Sequence, residues 1–175
     1  MQSTIAVLGR DIVGITFHNS IAAYSVFQLL WLKTAIKKLT LINEYNWNDL
    51  DKTRIIYDLP FIEQLHVVET PIWDTADELW DMIATCPRLE VLYISGQQTD
   101  KWFFSWDREL MHYVLKTRAR PLSLYFHHLE PHKKLIRHYF QHANLKLSFE
   151  AVEIEYIRNR YTKVEFLPQE ISKFR

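Results

Sequence analysis

One short phrase of apolar and polar positions keeps returning along this chain: apolar, two residues of any kind, apolar, one of any kind, apolar. It is carried by Ile12, Ile15 and Phe17, by Ile36, Leu39 and Leu41, by Ile62, Leu65 and Val67, and by Leu89, Leu92 and Ile94. The middle residues of these phrases are 24, 26 and 27 positions apart. A fifth copy, Ala119, Leu122 and Leu124, follows after 30. Leu145 with Leu147, and then Val164 with Phe166, keep the alternation without the spacing. Alternation with period two predicts a strand with one apolar face, and its return at a near-constant interval predicts an internal repeat.

Between the phrases the apolar period changes to about 3.6, which predicts helices. Ser20 is placed to cap one that carries Tyr24, Phe27, Leu30 and Trp31. Asn48 or Asp49 opens a second with Ile55, Ile56 and Leu59, and Asp74 or Thr75 a third with Leu79, Met82 and Ile83. A fourth runs from about Asp107 with Leu110, Met111, Val114 and Leu115, and a fifth follows Pro131 with Leu135, Ile136, Tyr139 and Phe140. Pro60 and Pro87 stand just before their strands, where the missing amide donor ends the preceding helix.

A strand and then a helix every 25 or so residues is the unit of a leucine-rich-repeat solenoid, because neither element buries its apolar face until the next repeat stacks on it. The pattern therefore predicts an α/β horseshoe: one curved, mainly parallel sheet of seven strands with an outer helix layer. A doubly wound α/β sheet also alternates the two elements. Against it stand the repetition of residue types and the lack of a glycine-rich loop after any strand. The 175 residues suit one such domain, with regular repeats over 11–96 and irregular ones over 97–175.

The strand at Leu92 carries a closer likeness. Cys86-Pro87-Arg88-Leu89-Glu90-Val91-Leu92-Tyr93-Ile94-Ser95-Gly96 resembles the cysteine-containing leucine-rich repeat of F-box proteins, in which the cysteine begins the repeat and the proline ends the helix before it. Leu59-Pro60-Phe61-Ile62-Glu63-Gln64-Leu65-His66-Val67 is similar, with Leu59 at the cysteine position, and Thr34-Ala35-Ile36-Lys37-Lys38-Leu39-Thr40-Leu41 matches more loosely. The resemblance implies the substrate-receptor repeats of a ubiquitin ligase adaptor, with a ligase-core adaptor as partner if an F-box is present elsewhere; no F-box is found in this chain.

In a phrase of this kind the residues between the apolar positions face the other side of the sheet, the concave surface of a horseshoe. One column is predicted to hold Thr16, Thr40, His66, Tyr93 and Ser123, and a second His18, Ile42, Val68, Ser95 and Tyr125. A third holds Gly14, Lys38, Gln64, Val91 and Pro121. The first two columns contain no acidic residue and, with Ile42, Val68 and Tyr93 side by side, read either as a partner-binding patch for another protein or as side chains that a flanking segment or a neighbouring molecule covers. The segment Lys101-Trp102-Phe103-Phe104-Ser105-Trp106 lies in the long connection between the fourth and fifth strands. Trp102, Phe103 and Trp106 are therefore either loop anchors for a partner or packing against the helix layer.

Charge and special chemistry narrow the function further. Lys plus Arg equal Asp plus Glu at 21 each, so nothing global attracts nucleic acid or an anionic membrane. Glu69, Asp74, Asp77, Glu78 and Asp81 form an acidic segment, and Lys116, Arg118, Arg120, Lys133, Lys134 and Arg137 a basic one. The apolar run from Ile21 to Leu32 is too short and too polar to span a bilayer, and Arg10 and Asp11 interrupt any secretory signal. With Cys86 as the single cysteine, an intracellular compartment, cytoplasmic or nuclear, is expected. Cys86 sits at a helix end before a proline, where a thiol is not activated. His127, His128, His132, His138 and His142 are badly spaced for a metal site. No catalytic residue, metal or cofactor is expected. The function predicted is protein recognition; a self-assembling repeat scaffold is the alternative, and a small α/β enzyme the third.

Overall fold

The computed structural model describes residues 12–18, 36–42, 61–70, 72–96, 103–104, 108–129, 132–151 and 161–166. Seven strands form one sheet: β1 (Ile12–His18), β2 (Lys38–Ile42), β3 (Gln64–Val68), β4 (Val91–Ser95), β5 (Leu122–His127), β6 (Leu145–Ser148) and β7 (Tyr161–Phe166). Three helices lie between them in sequence: α1 (Ala76–Thr85), α2 (Glu109–Thr117) and α3 (Lys133–Tyr139). These three are the third, fourth and fifth of the predicted helices. The first two fall outside the described residues.

Across the sheet the order is β6-β5-β4-β3-β2-β1-β7. From β1 to β6 every strand is parallel to its sequence neighbour. The chain thus belongs to the α/β class, and each strand is laid beside the one before it. The apolar positions fall into two rows, Ile15, Leu39, Leu65, Leu92 and Leu124, and Phe17, Leu41, Val67, Ile94 and Phe126. All ten are buried in the main core with Leu79, Trp80 and Ile83 of α1, Met111, Val114 and Leu115 of α2, and Ile136 of α3. The first position of each phrase, at Ile36, Ile62 and Leu89, is buried too, just ahead of its strand.

The fifth phrase is displaced. Leu124 and Phe126, not Leu122 and Leu124, continue the two interior rows, so the spacing from Leu92 is 32 residues. A shift of two residues keeps every side chain on its face, so alternation alone cannot detect it. The hydrogen-bond ladder decides, with the amide of Ser123 donating to Glu90 O at 2.8 Å. Nor do Val164 and Phe166 extend the parallel series. Their strand, β7, pairs antiparallel with β1 at the opposite edge of the sheet from β6, with a register irregularity between Ile12 and Gly14. Gly14 makes room there, because a Cβ would lie 2.8 Å from Glu165 Oε2. The Glu165 carboxylate accordingly passes over β1 and meets Lys38 Nζ of β2 at 3.5 Å.

Helix α1 starts where the sequence places it. Thr75 is its N-cap, the Thr75 hydroxyl accepting from the Glu78 amide at 3.3 Å while Glu78 Oε2 accepts from the Asp74 amide at 2.8 Å. Its C-terminal end is closed from the next repeat. Arg118, just past α2, donates to the carbonyls of Ile83 and Cys86 at 3.4 and 3.3 Å and to that of Leu89. A cation at a helix C-terminus satisfies orphan carbonyls and opposes the helix dipole. Cys86 beside it is fully buried, as a small core residue.

Strands β3, β4 and β5 leave the sheet the same way. Each is followed at once by a residue with left-handed backbone, Glu69 (φ 48), Gly96 (φ 66) and His128 (φ 60).

Two outcomes check these contacts. Arg118→Met should lower unfolding stability by about 2 kcal/mol in urea titrations, since it strands carbonyls held by a charged donor. Gly96→Ala should cost about 1–2 kcal/mol, because the alanine is forced into the left-handed region and its Cβ meets Glu69 Cγ at 2.7 Å. Part of that cost should vanish when Glu69→Gly is made as well.

Candidate functional site

The face of the sheet opposite the helices holds the residues predicted to bind a partner. Parallel pairing lines them up in rows. One row reads Thr16, Thr40, His66, Tyr93, Tyr125 and Ser148 from β1 to β6. The next reads His18, Ile42, Val68, Ser95 and His127. Over β1 to β4 both rows have the membership that the phrase predicts. At β5 the two-residue displacement changes it: Tyr125 stands in the first row, not the second, and Ser123 stands beside Gly14, Lys38, Gln64 and Val91 in the third, where Pro121 was expected. His127 takes the place predicted for Tyr125, a residue that the phrase did not bring to this face.

Burial along these rows is uneven. Ile42, Val68 and Tyr93 do sit side by side and form a second apolar cluster with Tyr125 packed against it. They are not exposed, with Ile42 at 1% and Tyr93 at 3%. Thr16, His18, Thr40, His66 and Ser95 are buried as well. Alternation says which face a side chain takes and is silent about what lies over that face, so the expectation of an open patch over β1–β4 is corrected here. Toward β5 and β6 the cover thins. Ser123, Tyr125, His127 and Ser148 are half-buried, and Lys146 and His128 are exposed.

Ring contacts join the buried part to the open part. His66 lies 5.8 Å from Tyr93 between ring centroids, and Tyr93 lies 6.3 Å from His127. His127 in turn stacks on His128 at 3.8 Å. Tilted aromatic contacts of this sort hold rings in place over and above the area they bury. The result is a row of imidazole and phenol groups running from the interior of this face to its exposed end.

His66 is electrostatically the most constrained of them. Burial lowers its pKa to about 4, the cation of Lys38 pushes in the same direction, and the Glu165 carboxylate acts weakly against both. It is therefore a neutral imidazole at physiological pH, a hydrogen-bonding and packing group and not a charge. Cys86, by contrast, lies in the main core, where burial raises its thiol pKa against the smaller opposing effects of the Thr85 hydroxyl and Arg118. No nucleophile is prepared there.

The remaining candidates fall elsewhere. Phe103 is 2% exposed and meets Phe104 edge to face, and Phe104 contacts Tyr139 and Phe140 of the core. It is thus a packing residue and not an accessible anchor. Trp102 and Trp106 lie outside the described residues. Among the described residues no three His, Cys, Asp or Glu side chains are grouped to hold a metal ion. His112 and His142 approach only as a pair, 5.5 Å apart between ring centroids. Among the described residues no helix is long and apolar enough to cross a membrane.

The His66 environment gives a pH test. An unfolded chain binds a proton at this imidazole with an ordinary value near 6.5, whereas the folded chain resists it until about pH 4. Acid therefore favours unfolding across that window. Stability should be steady above about pH 6.5 and fall by about 3 kcal/mol between there and pH 4 on account of this residue. Denaturant midpoints measured across that range should show the slope in the native chain and a shallower one in His66→Gln. No family model, curated protein or solved structure matches this chain.

Proposed function

We propose that the chain is a protein-recognition module of the leucine-rich-repeat type, resembling the substrate-receptor repeats of a ubiquitin ligase adaptor. Three features support a solenoid. The parallel strands follow sequence order across the sheet. The same two apolar rows run through five strands to the helix side. Three successive strands exit through a left-handed residue. A doubly wound sheet reverses its strand order at a switch point, and β1 to β6 have no such reversal.

The single observation that carries recognition is the row of polar aromatic groups on the second face and the way it opens. Tyr93, Tyr125 and His127 adjoin one another, buried at Tyr93 and half-buried at the other two. Tyrosine and histidine present an apolar body and a polar tip, which suits a protein surface more than a metal or an anion. The docking strip is accordingly centred on Ser123, Tyr125, His127 and Ser148, while Thr16, Thr40, Ile42, His66, Val68 and Ser95 form the floor that positions it. No proton-transfer pair or nucleophile is needed for such a role.

A photo-reactive phenylalanine analogue placed at Tyr125 checks this directly. In the native cell it should give a discrete protein adduct, and the same group at Phe61, which is 45% exposed on a different part of the chain, should not. Identical patterns at both positions would remove the strip from consideration. Co-purification of a ligase-core adaptor with the same chain tests the finer assignment, and sedimentation at rising concentration separates it from a self-assembling scaffold.

A further inference from the structure

The two edges of the sheet are finished differently. At one, β7 lies antiparallel on β1 and supplies the Glu165 carboxylate to Lys38. At the other, β6 pairs with β5 alone among the described residues, so its outer amides and carbonyls have no strand beside them there. An edge of this kind is a template for another strand.

The surroundings of β6 are mainly basic, although Glu150 follows the strand, its amide donating to Ser148 Oγ at 3.2 Å. Helix α3 carries Lys133, Lys134, Arg137 and His138 and no acidic residue. Phe149, directly after β6, has Lys133 Nζ 4.9 Å and Arg137 Cζ 5.3 Å from its ring centroid, which brings both cations beside the end of the strand. Lys146 is exposed within β6 itself. Several other described basic residues are engaged: Lys37 with Glu63, Lys38 with Glu165, Arg120 with Glu90, and Arg118 with carbonyls at the end of α1. Among the described residues Lys133, Lys134, Arg137 and Lys146 have no carboxylate at ion-pair distance. Leu145, Leu147 and Phe149 pack against the main core and remain half-exposed at its end.

We propose that the β6 edge receives an extended acidic segment of a partner protein as an added strand. The strand edge supplies backbone pairing, carboxylates on one face of the segment meet Lys146 while a carboxylate on the other meets Lys133 and Arg137 beside Phe149, and apolar residues on that other face cover Leu145 and Leu147. Nucleic acid would use the cations but not the amide ladder, and the chain as a whole has no net charge to draw it in. This inference rests on the protein-recognition reading and names the partner chemistry for it.

Panning a library of short random peptides against the full chain at low salt tests the proposal. Enriched sequences should alternate Asp or Glu with β-branched residues. A synthetic enriched peptide should slow amide exchange at Leu147, the Leu145 amide being already held by the His142 carbonyl, and should bind about tenfold or more weakly to Lys133→Glu/Arg137→Glu and in high salt. Methylating alternate amides of the peptide should abolish binding. Enrichment without acidic bias, no enrichment, indifference to the charge reversal, or tighter binding of a single-stranded RNA oligomer would each overturn it. Peptide protection confined to Tyr93–His127 would overturn the β6 assignment while leaving the docking strip intact. Protection at β6 with no adduct at Tyr125 would do the opposite.

Discussion

The structure depends on one constraint: parallel strands must be paired in the register that sends the second and third apolar residues of each phrase to the same side. A one-residue slip in any strand would turn its leucines away from α1, α2 and α3 and bring polar groups under them. Fully burying a side chain such as Leu39, Leu65 or Leu92 is worth about 1.5–3 kcal/mol. A surface ion pair such as Lys37 with Glu63 is worth at most about 1 kcal/mol. The apolar rows therefore decide the register, and the charged pairs at the strand entrances decorate a register already chosen. Arg118 then ties one strand-helix segment to the one before it, since its guanidinium leaves the end of α2 and closes the end of α1.

With the helices on one face, the second face carries whatever the interior does not need. Its residues are small or amphipathic: Thr16, Thr40, His66 and Tyr93 in one row, with Ile42, Val68 and Ser95 in the next. Their burial makes the two central rows a floor over β1–β4, and among the described residues the groups that another molecule could reach lie toward β5–β6 and at the strand starts, where Gln64 is exposed. The neutral state of His66 belongs to the same picture. A charged imidazole in that row would be desolvated and set against Lys38, so the row is stable as a set of uncharged rings.

The ends of a stacked sheet must also be dealt with, because each leaves a row of unpaired backbone groups. On the β1 side the chain uses its own later segment, and Gly14 is the residue that allows it, since any side chain there would contend with Glu165 for the same space. On the β6 side the strand is short, and Lys146 and the cations of α3 surround it. Positive charge at an edge discourages pairing between identical chains, which repel, and admits a partner of opposite charge.

Much of this was legible in the residues. The phrase placed the strands at Leu39, Leu65 and Leu92 and assigned their faces, and the capping residues put a helix start at Asp74 or Thr75, because alternation, spacing and capping are local properties. Of the left-handed exits, the one at Gly96 falls on the residue type that takes this backbone without strain. Three things had no local signal. The β5 register had none, since a shift of two preserves the face of every side chain and only pairing with β4 reveals it. The position of β7 had none, because a strand's alternation is the same whether its neighbour runs parallel or antiparallel. The cover over Ile42, His66 and Tyr93 had none either. Which face a side chain takes is written in its period, whereas how deeply that face is buried depends on the rest of the folded chain, and that only the tertiary structure decided.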